Sequence, residues 1–301
     1  MKAASDIAPL ALDYFVVDVF TETALAGNPL AVVMNTANLT TERMQAIARE
    51  FNLSETTFVE RRAAAGEQAE GVRVRIFTTQ EELNFAGHPT LGTASVLRLE
   101  APETFLGDTV RLKLNVGPVP VRFADGLFGE MTQADPEFGA ELEPEEVARL
   151  IGLLRDDLHP ALPPQTVSTG TAFAIVPLRS SEALARLNVN QLEATDWLRE
   201  QGARWFYVLG PTGSESPGWR ARMQFYGGED PATGSAAGCA ISYLVGHGAV
   251  APEERIHLRQ GVEMGRSSDI FFSAGEEAGK VTNVRVGGST VLVAKGRLFL
   301  P

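Results

Sequence analysis

The sequence predicts a mixed α/β protein of the α+β type, built as two similar lobes that each wrap a curved sheet around one central helix. Three observations carry this expectation. A run of small and apolar residues from Ala236 to Val245 follows the Gly-rich stretch Gly227-Gly228-Glu229-Asp230-Pro231-Ala232-Thr233-Gly234-Ser235. A helix that is polar nowhere along its length belongs in an interior, enclosed on all sides. A looser copy stands earlier, Phe85-Ala86-Gly87-His88-Pro89-Thr90-Leu91-Gly92-Thr93-Ala94-Ser95-Val96-Leu97. Short strand-like runs surround each copy, and the pattern restarts after a polar, acidic connector over 132–145.

The elements follow in order. Residues 1–13 read as a short disordered lead. YFVVDVF at 14–20 is β-branched and aromatic and predicts a strand, and LAVVM at 30–34 predicts another after the turn Ala26-Gly27-Asn28-Pro29. Thr40 is placed to cap a helix running to Phe51, with Met44, Ile47, Ala48 and Phe51 on one face. Strands are expected at 55–60 and 72–78, with the Ala/Gly/Gln/Glu-rich segment 63–70 between them as a loose hairpin tip. The apolar helix 89–98 comes next, with Pro89 at its first position and His88 as its N-cap. Strands at 109–115 and 119–124 complete the first half. The second half reads as helix 144–154, strand 172–177, helices 181–188 and 191–201, strands 204–209 and 220–226, and the apolar helix 234–247. Strands at 256–260, 269–274, 281–287 and 290–299 end the pattern.

Composition narrows the function. The chain has 301 residues, 44% of them hydrophobic, enough for a sizeable core. A formal charge of −12 argues against a nucleic-acid partner, and the sequence pI is about 4.9. Mean hydropathy is −0.02, and no segment approaches the ~18 apolar residues that cross a bilayer. Cys239 is the only cysteine and sits in the apolar helix, which predicts a buried, inert thiol and no thiolate metal site. His88, His159, His247 and His257 are scattered without metal-ligand spacing, so no metal is expected. Neither a P-loop nor a dinucleotide-binding Gly motif nor a GxSxG elbow is present.

Chemistry concentrates at the two helix starts. There the first backbone N–H groups lack intrahelical partners and attract anions. Asp230 precedes one helix, with Thr233 or Ser235 as its cap, and His88 opens the other. A helix N-terminus disfavours the charged imidazole and keeps it neutral. Glu55 shares a strand face with Leu53, Thr57 and Val59, and Ser54 falls on the opposite face with Thr56 and Phe58. If the first face points inward, burial raises the carboxyl pKa toward the range useful for proton transfer.

The motifs NLSETTFVE, FAGHPTLGTA, EDPATGSAAG and RQGVEMGR, with the opening DVFTETALAGNPLAVV, resemble in order and spacing the PhzF family of phenazine-biosynthesis-like isomerases. The resemblance runs from about Asp13 to the C-terminus. It implies the diaminopimelate epimerase-like fold, with lobes at 13–131 plus 290–301 and at 132–289 and the active site in the cleft between them. It further implies that Glu55 is the catalytic acid/base and that His88, Asp230 and Ser235 line the reacting ring. Ser54, Gly87, Thr233 and Gly234 join Ser235 as expected substrate-binding positions. The expected substrate is a small cyclic carboxylate of the trans-2,3-dihydro-3-hydroxyanthranilate type. No cofactor is expected, and the protein is expected to be a cytoplasmic homodimer, with apolar positions on 290–299 available for pairing. The approach to Asp230, Phe225-Tyr226-Gly227-Gly228, is shorter than the family's PxxGxxED. Two rival readings are a cysteine-pair epimerase, which a single cysteine cannot supply, and a non-catalytic small-molecule binder on the same fold.

Overall fold

A computed structural model describes residues 10–102, 105, 107–124, 126–212, 218–225 and 228–300. In the first half, β1 (Leu10–Val19) turns back into β2 (Asn28–Val33), and α1 (Thr41–Phe51) crosses to β3 (Glu55–Glu60). Then come α2 (Ala64–Glu70), β4 (Val72–Phe77) and β5 (Glu82–Leu83), and α3 (Gly87–Glu100) crosses to β6 (Thr109–Leu114), β7 (Gly117–Phe123) and β8 (Gly129–Thr132). In the second, β9 (Glu137–Glu141) and α4 (Pro144–Leu150) lead to β10 (Gln165–Ser168) and β11 (Ala172–Pro177). Helices α5 (Ser181–Ala185) and α6 (Gln191–Glu200) cross to β12 (Trp205–Pro211), followed by β13 (Trp219–Arg222) and the hairpin β14 (Gln224–Phe225) and β15 (Gly228–Glu229). Helix α7 (Gly234–Gly246) crosses to β16 (Ile256–Gln260), and β17 (Ser268–Glu277), β18 (Lys280–Gly288) and β19 (Thr290–Leu300) follow.

The pairing repeats. β2 lies parallel to β3, β3 antiparallel to β4, and β4 parallel to β6. In the same way β11 is parallel to β12, β12 antiparallel to β13, and β13 parallel to β16. Parallel neighbours cannot be joined by a tight turn, so each such pair needs a crossover. α1 and α3 supply these in one half, and α5 with α6, then α7, in the other. β19 returns to flank β1, β9 flanks β10, and β8 pairs with β18 to join the two sets.

The two small-residue helices are the axes of this arrangement. Every residue of α3 from Gly87 to Leu97 is buried, as are Gly234 and Ala236–Val245 of α7. Small side chains are what let the strands come so close. A Cβ at Gly92 would lie 2.7 Å from side-chain carbons of Leu30 and Val19, and one at Gly129 would lie 2.6 Å from Leu91. Around the helices, Leu30, Ile76, Leu112, Ile241 and Phe272 are fully or almost fully enclosed. Burial of each such side chain stabilises the fold by ~1.5–3 kcal/mol. α1 packs outside this core, burying Met44, Ile47 and Ala48, with Thr40 accepting from the Arg43 N–H as its cap.

Several expectations are corrected. Residues 10–13 belong to β1, where Asp13 pairs with Arg297, and residues 1–9 lie outside the described set. The segment 63–70 is not a loop tip: α2 occupies 64–70, driven by alanines of high helix propensity. Its Glu67 turns inward to accept from the Arg61 guanidinium and the Arg62 N–H. The connector contains β9, a strand whose side chains are all exposed and so show no apolar alternation, while its backbone pairs with β10. The helix expected over 144–154 stops at Leu150, ahead of Gly152 at φ 70°. Helix α3 begins at Gly87, so His88 lies within its first turn, and Ala86 is the N-cap. Pro89 is accommodated there because first-turn N–H groups have no intrahelical acceptor. The strand expected over 220–226 breaks at Met223 between β13 and β14.

Candidate active site

The N-termini of α3 and α7 meet. A Cβ at Gly87 would lie 2.9 Å from backbone atoms of Gly234 and Ser235, so only glycine permits the approach. Above this contact opens a cavity of about 220 Å³. Leu53, Ser54, Glu55, Asp230, Thr233 and Ser235 are among its lining residues. Phe85, Phe173, Trp205 and Phe225 form aromatic walls, and Arg204 is the one cation among the described lining residues. Ser54 faces the cavity beside Glu55, although strand alternation puts it on the opposite face. It precedes β3, where the two-residue period does not hold.

Glu55 stands at the first position of β3, paired with Leu30 of β2. Its side chain keeps 16% exposure through the cavity, but Oε2 itself is enclosed and has no hydrogen-bond partner. Burial, and then repulsion from Asp230, raises the carboxyl pKa to about 8. Burial likewise pushes His88 down to about 3. The 3.4 Å approach of His88 Nε2 to Glu55 Oε2 thus joins two groups that are mostly uncharged at neutral pH, and it is not an ion pair. Desolvation, rather than the helix terminus, is what keeps the imidazole neutral. Asp230 is raised to about 6, burial outweighing hydrogen bonds from Thr233 and Asn28.

A closed polar network holds Asp230 and the start of α7. Thr233 is the N-cap by position, but its hydroxyl donates to Asp230 Oδ2 at 2.7 Å rather than capping the helix. Gln260 is fully buried with its amide saturated. It donates to the Asp230 carbonyl and to Thr233 Oγ1, and accepts from the Thr233 N–H and the Tyr207 hydroxyl. Asn28 donates to Asp230 Oδ1 at 2.8 Å and to the Ala232 carbonyl at 2.9 Å, and touches His88 Nδ1 at 3.1 Å. Arg266 binds Asp18 and the carbonyls of Ala26 and Gly27, fixing the turn that presents Asn28.

All eight expected site residues therefore converge. Six are at or beside the cavity wall or Glu55: Ser54, Glu55, His88, Asp230, Thr233 and Ser235. Gly87 and Gly234 form the contact beneath it. Asn28, Tyr207, Gln260 and Arg266 were not expected from the sequence. Three of them lie in the motifs AGNPL and RQGVEMGR, each next to a glycine at the edge of an element: Asn28 opens β2, Gln260 closes β16, and Arg266 follows the turn after it. Cys239 is buried against Thr169, its thiol pushed up to about 11 by burial, and is not among the cavity residues. Among the described residues no His, Cys, Asp and Glu cluster is arranged to hold a metal ion. No helix among them is long and apolar enough to cross a membrane.

Duplicated strand sets around two buried helices, with an acid-lined cavity where the helix N-termini meet, define a protein of diaminopimelate epimerase-like fold. The fold alone is shared with a hydroxyproline epimerase from Agrobacterium vitis, at TM-score 0.59 and 12% identity. The chain belongs to the PhzC-PhzF family of phenazine biosynthesis-like proteins, which matches residues 17–296, and it is an isomerase. It is 36% identical to an uncharacterized isomerase of Mesorhizobium japonicum, over 96% of this chain and 99% of that one. It is 35% identical to a trans-2,3-dihydro-3-hydroxyanthranilate isomerase of Pseudomonas aeruginosa, over 95% and 99%. A solved structure, a predicted epimerase of Pseudomonas aeruginosa, superposes at TM-score 0.79 with 35% identity, covering 95% of this chain and 99% of that one.

Proposed function

We propose that the protein moves a proton between two carbons of a small, unsaturated, carboxylate-bearing ring, without a cofactor, and that Glu55 is the group that carries it. The observation behind this is the Glu55 carboxyl, half-enclosed in an aromatic-walled cavity with its pKa raised to about 8. A base poised near the working pH is both ionised often enough to take a proton and acidic enough to return it. The carboxylate takes a proton from a ring carbon that bears a hydroxyl. The C–H electron pair shifts through the conjugated double bonds, and a distal carbon takes the proton back from Glu55 on the same face. The enol left behind relaxes to a ketone. No oxidation state changes overall, so no redox partner is called for.

Flat walls from Phe85, Phe173, Trp205 and Phe225 suit a planar ring. The first N–H groups of α3 and α7, at Gly87 and Gly234-Ser235, offer a place for the substrate carboxylate. His88 and Asp230 orient the polar substituents. The substrate class is taken from the Pseudomonas aeruginosa relative named above. The test is incubation with trans-2,3-dihydro-3-hydroxyanthranilate in D₂O, followed by NMR beside Glu55→Gln. Expected is isomerisation with solvent deuterium entering the ring, and a turnover lower by ~10²–10⁴-fold in the variant. Undiminished turnover in Glu55→Gln would sink the mechanism.

We propose in addition that 13–131 plus 290–301 and 132–289 act as two lobes about this cleft, and that the chain works in the cytoplasm as a homodimer. Pairing of β19 with β1 supports the first. Exposed Leu292 and Phe299 on β19 support the dimer, which sedimentation velocity would detect.

A further inference from the structure

We propose that Asn28 is a positioning residue that keeps the proton of His88 on Nε2, so that the nitrogen facing Glu55 has a proton to give and no lone pair to accept one. The inference rests on the reading of Glu55 and His88 as active-site groups, but the measurement that tests it needs no substrate.

The Ala232 carbonyl is always an acceptor, and it lies 2.9 Å from Asn28 Nδ2. Asp230 Oδ1 lies 2.8 Å from the same nitrogen. Turning the amide over would press its carbonyl oxygen against both of these oxygens, with no proton between it and Ala232. The NH₂ group therefore faces this side, even though it leaves Asn28 Oδ1 buried without a partner. An amide NH₂ donates and does not accept. Its two protons serve three neighbours, and a proton on His88 Nδ1, 3.1 Å away, would point at a donor with no acceptor to receive it, so Nδ1 carries none. A neutral imidazole carries one proton, and burial keeps His88 neutral. That proton is on Nε2, 3.4 Å from Glu55 Oε2.

Two consequences follow for the reaction. His88 cannot take the substrate proton through Nε2, which leaves Glu55 as the sole base of the pair. Nε2 and Glu55 Oε2, 3.4 Å apart, are both buried without a hydrogen-bond partner as they stand, so the Nε2–H is the donor within reach of the Glu55 carboxylate as it forms. Asn28 spans both halves of the molecule in doing this, touching the first turn of α3 and the residues that precede α7. The arrangement follows the general rule that the tautomer of a functional histidine is set by what its other nitrogen meets.

The test is ¹⁵N NMR of histidine-labelled protein near pH 7, with the His88 resonances assigned by their loss in His88→Gln. In the native protein Nε2 is expected at a pyrrole-type shift with an attached proton, and Nδ1 at a pyridine-type shift. In Asn28→Ala the two nitrogens are expected to move toward each other as the second tautomer becomes populated. Turnover should fall by on the order of 10²-fold with KM nearly unchanged, in the direction seen when a catalytic histidine loses its tautomer. Should Asn28→Ala not fold, Asn28→Asp makes the same test, since an added acceptor draws the proton to Nδ1. A protonated Nδ1 in the native protein, or a His88 spectrum and turnover unmoved by the Asn28 variants, would overturn the proposal. Correct native shifts in a protein without isomerase activity would instead leave it standing and remove the proposed substrate.

Discussion

At the scale of single residues, the site works by withholding water from three titratable groups that would otherwise be ordinary. Glu55 and Asp230 are both raised and His88 is lowered, and in each case burial is the leading cause. Asp230 is the second cause at Glu55, because a neighbouring negative charge disfavours another. The pH profile should show this directly. If the Glu55 carboxylate is the base, kcat/KM rises with pH and levels off above about 8, the value set in the free enzyme. Asp230→Asn removes the repelling charge, so the rising limb should move to lower pH even as the plateau drops. A limb that stays in place would show that Asp230 does not act on Glu55 through its charge. Glu55, His88 and Asp230 could be singled out because each sits in a motif that resembles the family's; a strand-end glutamate or an acid at a helix start is ordinary by its local signal alone. Asn28 and Gln260 were not singled out. Their meaning lies in partners 202 and 30 positions away in the chain, which no local pattern reports.

Helices α2 and α3 show how glycine can carry opposite instructions. At Gly87 a Cβ would lie 2.9 Å from the backbone of Gly234 and Ser235, which cannot retreat without parting the two helix starts. At Gly66, inside α2, nothing lies within 4 Å of the same position. Gly87→Ala should therefore destabilise by ~1–3 kcal/mol, as overpacking does, and lower turnover by displacing the floor of the cavity. Gly66→Ala should stabilise by ~0.5–1 kcal/mol, the helix-interior difference between the two residues, and leave turnover alone. Urea unfolding and turnover of the two variants side by side would check both, and equal effects would refute the packing argument. The same contrast explains which elements the sequence revealed. The buried helices were plain because an all-apolar, small-residue composition has few other homes. α2 and β9 were missed for the converse reason. One buries a single acid and shows no apolar face to announce a helix, and the other is held by backbone pairing with every side chain in water.

For the molecule as a whole, a carboxyl buried as Glu55 is becomes a liability to stability, and its sign can be worked out. Glu55 goes from an ordinary 4.5 in the unfolded chain to about 8 in the fold, so between those values the native state binds the extra proton. Stability from this group is present below pH 4.5 and is lost as pH climbs to about 8. Asp230 acts in the same direction between 3.8 and about 6. His88 acts in the opposite direction, since from about 3 to 6.5 it is the unfolded chain that binds the proton. Between pH 6.5 and 8 the His88 and Asp230 contributions are over and that of Glu55 remains. One proton corresponds to at most ~1.4 kcal/mol per pH unit, so this window should cost the native protein about 2 kcal/mol. Glu55→Gln keeps the shape of the side chain and has no proton to lose. Its unfolding free energy should be nearly level across the window, and its advantage over the native protein should widen toward pH 8. Denaturant unfolding of both proteins at closely spaced pH values measures the two slopes. Parallel curves would mean that Glu55 titrates normally in the folded protein, and the base proposed for the reaction would then be ionised, and weak, at every pH where the enzyme works.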